Sequence, residues 1–332
     1  RFLGTTLYDW MAAADARTRV LSVSRKDRGA ILPIGRAKVD VYWYAMPGLF
    51  TTSRYYRDTL PSWVRAFNAR RLPRSYAGRA WEPLLPADRY AEPDTNPLEG
   101  NGRDYVFPHT VTTDTAAVGG AIRDYPWMDS LTIAFALEGQ RALGLGMEAG
   151  RTDLLAVSLS TTDAVGHRYG PDSKEIHDQL LRLDRYLGHF LDELEGRVGR
   201  GRIVVALTAD HGISPFPEWR SAYYANHDAQ RVDVRPAWRA AYAAMRAAGV
   251  DTAAAHDDDG FRVRDLDAFR RRNVDPDDIA AVWVQALRPL NGVLRADLVR
   301  DLAKADTVHD DLARRWLHML PTDGPVRAVV TL

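Results

Sequence analysis

Short apolar runs that stop on polar residues organise the first part of the chain. Three segments share this form: RVLSVSRKDRG (Arg19 to Gly29), DLLAVSLSTTDAVGH (Asp153 to His167) and RIVVALTADHG (Arg202 to Gly212). Each begins as an aliphatic or β-branched stretch bounded by turn formers, which is the pattern of a strand. The apolar residues are nearly continuous rather than alternating. Such strands are covered on both faces, so the predicted fold class is α/β, a mainly parallel sheet with helices on both faces. Thr5 to Asp15 reads as a short helix ahead of the first strand. Between the second and third runs, Ile176, Leu180, Leu183, Leu187, Phe190, Leu191 and Leu194 recur at helical spacing, with Asp172 or Ser173 as N-cap and Gly196 beyond the end. The order strand, loop, helix, strand makes a βαβ unit.

Elsewhere the pattern changes. VYWYAMPGLFTTSRYY (Val41 to Tyr56) reads as a hairpin with core-packed aromatics. Residues 70–110, rich in Pro, Arg, Asn and Gly, read as long surface loops. From about Val232 to Leu317 the chain becomes Ala- and Arg-rich with amphipathic helical spacing, as in AWRAAYAAMRAAGV and DIAAVWVQALRPL. The expected organisation is an α/β core over 1–225, a helical cap inserted over 226–318, and a return to the core over 319–332.

Composition narrows the chemistry. Of 332 residues, 46% are hydrophobic, enough for a substantial core. The 44 basic residues balance 44 acidic ones, which argues against a nucleic-acid partner. No apolar stretch approaches the roughly 20 residues that cross a bilayer, so no membrane span is expected. Cysteine is absent, which leaves His, Asp and Glu as metal ligands and excludes a disulfide framework. The chain opens on RFLGTTLYDW, without an initiator Met or a signal-like pattern, and stops on VRAVVTL inside a predicted strand. The expectation is a fragment lacking both ends of its domain.

In open α/β sheets, ligands bind at the carboxyl ends of strands, and all three polar clusters sit there. Asp163 and His167 are one helical turn apart, so a helix puts both on one face. Asp210 and His211 are adjacent at a strand end, beside Gly212. Carboxylate oxygen and neutral imidazole are both zinc ligands at roughly 2.0–2.2 Å. Two such pairs brought together suit two metals about 3.5–4 Å apart, the arrangement used for in-line displacement at phosphorus. N/O ligation also admits manganese or another divalent metal.

Together, STTDAVGHRYGPDS and LTADHG resemble the two downstream metal motifs of the alkaline phosphatase superfamily, in its type I phosphodiesterase/nucleotide pyrophosphatase-like branch. SVSRKDRGAILPIGR is similar to the corresponding element of the single-chain, zinc-dependent bacterial alkaline phosphatases. The resemblance runs over roughly residues 1–225. It implies hydrolysis of a small phosphate monoester at two zinc ions through a phospho-enzyme. Asp163 and His167 would ligate one zinc, Asp210 and His211 the other, and Lys26 and Arg28 would engage the phosphoryl oxygens. An ammonium and a forked guanidinium at one strand end match the extra charge of a monoester over a diester. The resemblance also implies a periplasmic or secreted location.

The same resemblance places a Thr or Ser nucleophile and another metal-binding Asp upstream of Arg1. A third zinc histidine is expected beyond Leu332, with His227, His256, His309 and His318 as unmatched candidates within the chain. Two protein contacts per zinc fall below the usual three, so weak metal affinity and no turnover are expected of the chain alone. Alternatives are a phosphodiesterase or nucleotide pyrophosphatase on the same fold and, from another class, a non-catalytic phosphate-binding or interaction protein. A sulfatase or mutase relative fits less well, because different residues stand where KDRG does. His177 and His189 read as structural or solvent-facing, His109 as a loop residue without assigned role, and Trp127 as a candidate for lining the site mouth.

Overall fold

The computed structural model describes residues 4–223, 229–257 and 260–332. It forms two units, Arg1–Phe216 and Pro217–Leu332. The first unit contains strands β1 (Val20–Ser24), β2 (Asp40–Ala45), β3 (Leu49–Thr51), β4 (Ala80–Trp81), β5 (His109–Thr110) and β6 (Leu154–Ser158). Its helices are α1 (Leu7–Ala14), α2 (Asp27–Ile31), α3 (Ser62–Ala69), α4 (Val118–Ala121), α5 (Trp127–Leu143), α6 (Thr161–Tyr169) and α7 (Lys174–Val198).

The main sheet has the order β3-β2-β1-β6. β1 runs parallel to β2 and β6, while β3 returns antiparallel to β2 as the hairpin read from residues 41–56. Both faces of β1 are buried. Leu21 and Val23 join a core with Met128, Leu131 and Phe135 of α5, whereas Val20 packs with Ala30 and Ile34. This two-sided burial is the reason the strand reads as a nearly continuous apolar run, with Ser22 and Ser24 also buried. The hairpin rings belong to the same core: Phe50 stacks on Phe135 with centroids 3.9 Å apart.

α7 begins where the Ser173 hydroxyl accepts a hydrogen bond from the Ile176 amide at 3.1 Å. It continues through Gly196 and ends at Gly199, which has φ 106°. Leu180 faces outward at 49% exposure, off the buried stripe.

Several expectations are corrected. Ile203–Leu207 forms no strand: residues 202–209 carry no ladder, Val204 is 98% exposed and Leu207 83%. An apolar run becomes a strand only when another backbone satisfies its N–H and C=O groups, and none among the described residues does so here. Residues 70–110 are not simply surface loops. They hold Trp81, Tyr90, Glu99 and His109 in the interior, with Trp81, Tyr90 and His109 hydrogen-bonded to α7.

The second unit contains β7 (Ala255–Asp257), β8 (Phe261–Val263), β9 (Arg295–Leu298) and β10 (Val326–Thr331). Its helices are α8 (Pro217–Tyr223), α9 (Arg235–Ala247), α10 (Leu266–Arg270), α11 (Pro276–Leu287), α12 (Val299–Leu302) and α13 (Asp311–Met319). The four strands form an antiparallel sheet ordered β7-β8-β10-β9. Trp238 of α9 and Trp283 of α11 pack with Phe261 over it. The unit is therefore α+β rather than a helical cap. The terminal segment does not rejoin the first sheet, because β10 pairs with β8 and β9. Alternating apolar residues announce a strand but not its partner.

Candidate metal centre and phosphate-binding residues

The site is built at the carboxyl ends of β1 and β6. These strands are parallel and in register, with Ser24 opposite Ser158. The residues that follow each strand are therefore delivered side by side. After β1, the Lys26 amide donates to the Ser24 hydroxyl at 3.0 Å and Lys26 stands at the N-terminus of α2. After β6, the chain enters α6, whose first turn carries Asp163 and whose last turn carries His167. Gly170, with φ 84°, ends the helix.

Asp163 is the meeting point. One carboxylate oxygen receives the Lys26 ammonium. The other lies 3.3 Å from His167 Nε2 and 3.8 Å from His211 Nε2. Partial burial pushes the Asp163 carboxyl up, but Lys26, His167 and His211 outweigh it and hold the group below its ordinary range. His211 is brought in by close packing of the next residues on α6. A Cβ on Gly166 would lie 2.1 Å from Ile213 Cδ1, so only glycine lets Ile213 seat there without displacement.

The other two predicted residues are less engaged. Asp210 is 89% exposed, and among the described residues its side chain forms an ion pair with His211 only, at 3.7 Å. Arg28 is exposed in α2; its amide donates to Asp27, and its guanidinium makes no hydrogen bond or ion pair among the described residues. Of the remaining histidine candidates, His256 lies in β7 and His309 pairs with Asp306 at 2.7 Å, both in the second unit, as is His318 in α13. His227 lies outside the described residues.

Donor spacing tests whether a metal fits. Tetrahedral ligands at about 2.1 Å from one ion lie roughly 3.4 Å apart. The Asp163 oxygen and the two imidazole nitrogens stand 3.3 and 3.8 Å apart, with the right O/N chemistry. Asp163 with His167 therefore fits as a ligand pair, and Asp210 with His211, 3.7 Å apart, as a second pair. Among the described residues, no group of three or more His, Asp or Glu side chains is placed to hold one metal ion, so the fit is of ligand pairs.

Three buried groups of the same unit were given no role by the reading of the sequence. Asp129 of α5 is fully buried and accepts from the Thr161 amide at 3.2 Å, the Thr161 hydroxyl at 2.8 Å and Gln179 Nε2 at 3.0 Å. Burial pushes its carboxyl up to about 6, against the pull of those donors. His109, now in β5, is held between Glu175 at 2.7 Å and Asp104 at 2.9 Å. Burial alone would lower the His109 pKa, but the two carboxylates raise it. Asp178 accepts from Trp81 Nε1, the Leu84 amide, the Tyr90 hydroxyl and Arg182 Nε. A charged residue inside an apolar helix face, as Asp129 is in PWMDSLTIAFAL, is the one sequence mark that pointed to any of them. Trp127 is not at a site mouth: it is buried, with Tyr76 stacked 5.6 Å and Tyr125 5.9 Å away.

Residues 9–295 match the family model described as type I phosphodiesterase / nucleotide pyrophosphatase. The chain belongs to that family. Among curated proteins it is similar to alkaline phosphatase PhoV of Synechococcus elongatus, 41% identical over 222 residues, covering 65% of this chain and 40% of that protein. Alkaline phosphatase PafA of Elizabethkingia meningoseptica is 38% identical over 218 residues, covering 63% of this chain and 40% of PafA. The chain thus spans about two fifths of the curated relatives it matches. A crystal structure of alkaline phosphatase PafA superposes with TM-score 0.78 at 27% identity, over 98% of this chain and 63% of that one. The likeness to PafA therefore includes residues of both units. No helix among the described residues is long and apolar enough to cross a membrane.

Proposed function

We propose that this chain supplies the metal-binding and phosphate-binding side of an alkaline-phosphatase-type phosphomonoesterase. The observation that supports this is the meeting of Lys26, His167 and His211 on one carboxylate, Asp163, at adjoining strand ends. In this reading Asp163 and His167 hold one zinc and Asp210 and His211 a second, with manganese or another divalent ion as substitute. Bound zinc would lower the pKa of an attacking oxygen and stabilise the leaving one. Lys26 and Arg28 would hold the unesterified phosphoryl oxygens. A monoester presents more charge there than a diester, so two cations favour it. The hydroxyl nucleophile is assigned to no residue of this chain. The substrate is a small phosphorylated molecule, and a periplasmic or secreted location belongs to the same reading.

The test uses zinc-loaded full-length protein and compares p-nitrophenyl phosphate with its bis-ester. The double variant Lys26→Ala/Arg28→Ala should depress monoester hydrolysis by on the order of 10²–10³, the scale of losing preorganised charge contacts, and diester hydrolysis far less. Equal losses would remove the assigned role. Faster diester turnover by the parent would make it a phosphodiesterase.

A further inference from the structure

We propose that Asp129 is a positioning residue for the metal-ligand helix: from beneath, it grips the first turn of α6 and thereby sets where Asp163 presents its oxygens. This rests on the metal-site reading above.

The geometry begins with a helix that lacks its own cap. Ser160, the N-cap residue of α6, makes no side-chain capping bond. The exposed amides of a first turn need acceptors. Asp129 Oδ1 comes from α5 to accept both the amide and the hydroxyl of Thr161. Its other oxygen accepts from Gln179 of α7, whose Nε2 also lies 3.4 Å from the Thr162 hydroxyl. The two residues immediately before Asp163 are thus tied to two other helices. A carboxylate without solvent is costly to place, and this one has no cation within ion-pair distance among the described residues. Its negative charge instead faces the positive end of α6. The arrangement fixes the one element that carries both Asp163 and His167.

The side chain also has a built-in conservative replacement. Asn at 129 keeps the oxygen that accepts from Thr161. Gln179 Oε1 is buried without a hydrogen-bond partner among the described residues, so rotating its amide lets it accept from the new Asn NH₂. Ala removes everything.

Zinc alone is the probe on the full-length protein, with affinity read by competition against a chromophoric chelator and folding by circular dichroism. Asp163→Ala serves as the control for the metal site. Asp129→Ala should remain folded and bind zinc on the order of tenfold more weakly, as for other supports of ligand orientation. Asp129→Asn should stay within a few-fold of the parent. Hydrogen exchange at the Thr161 amide should quicken in the Ala variant only. A folded Asp129→Ala protein with parental zinc affinity overturns the inference while leaving the site reading intact, provided Asp163→Ala has lost zinc. A parent that binds no zinc overturns both. Should Asp129→Ala fail to fold, Thr161→Val removes only the hydroxyl donor. Weaker zinc binding by that variant then supports the inference, and unchanged binding overturns it.

Discussion

Gly166→Ala separates stability from site assembly. Gly166 lies within α6 between Asp163 and His167, and an added Cβ would meet Ile213 Cδ1 at 2.1 Å and Cγ1 at 3.2 Å. Two terms oppose each other. Alanine stabilises a helix interior by about 1 kcal/mol over glycine. Forcing a methyl into occupied space costs about 1–3 kcal/mol. Ile213 is half-buried and can shift as a residue into partly open space, which places the cost toward the lower end. The net loss is about 0–2 kcal/mol, a fall in Tm of roughly 0–8 °C for a unit of this size. The site should suffer more. Ile213 stands two residues after His211, whose Nε2 is 3.8 Å from Asp163, and metal-ligand distances tolerate only about ±0.2 Å. Moving Ile213 by an ångström or more should weaken zinc binding on the order of tenfold or beyond. The assay pairs thermal melts with zinc competition. Ile213→Val deletes the atom that clashes, so Gly166→Ala/Ile213→Val should recover most of the affinity. Parental zinc affinity in the single variant, or no recovery in the double, refutes the reasoning.

Glu99 is pushed up to about 8 from 4.5, first by burial and next by the neighbouring Glu175 charge. A raised carboxyl favours the neutral form in the fold, so its contribution is complete below about pH 4.5 and is lost as pH rises through about 8. The Tm of the parent minus that of Glu99→Gln should therefore fall between about pH 5 and pH 9; a flat or rising difference counts against the assignment. Phe135 is fully buried, stacks on Phe50 at 3.9 Å and meets Tyr42 and Phe67 edge-on. Phe135→Ala should cost about 3–5 kcal/mol in chemical denaturation, and a loss under about 1.5 kcal/mol would mean the ring is not a core member.

The residues that carry chemistry were only half readable from the chain. That Asp163 and His167 share a face follows from helical spacing alone. That Lys26 and His211 reach the same carboxylate depends on β1 and β6 lying in parallel register, and on Ile213 finding the gap at Gly166. Arg28 shows the limit: it stands two residues from Lys26 in sequence, yet its side chain has no contact with the cluster among the described residues.

By itself the sequence determined what neighbouring residues decide together: the strands at Val20–Ser24 and Leu154–Ser158, the hairpin, and α7 with its Ser173 cap. Periodicity, turn chemistry and caps act over a few residues, so their outcome is written locally. Tertiary structure alone decided whether Ile203–Leu207 pairs, which strands β10 joins, and where Asp129, Glu175 and Asp178 find their donors. A ladder needs a second backbone and a buried carboxylate needs donors, and here both come from segments distant in sequence. Similar local patterns therefore lead to a paired strand in one place and an exposed apolar run in another.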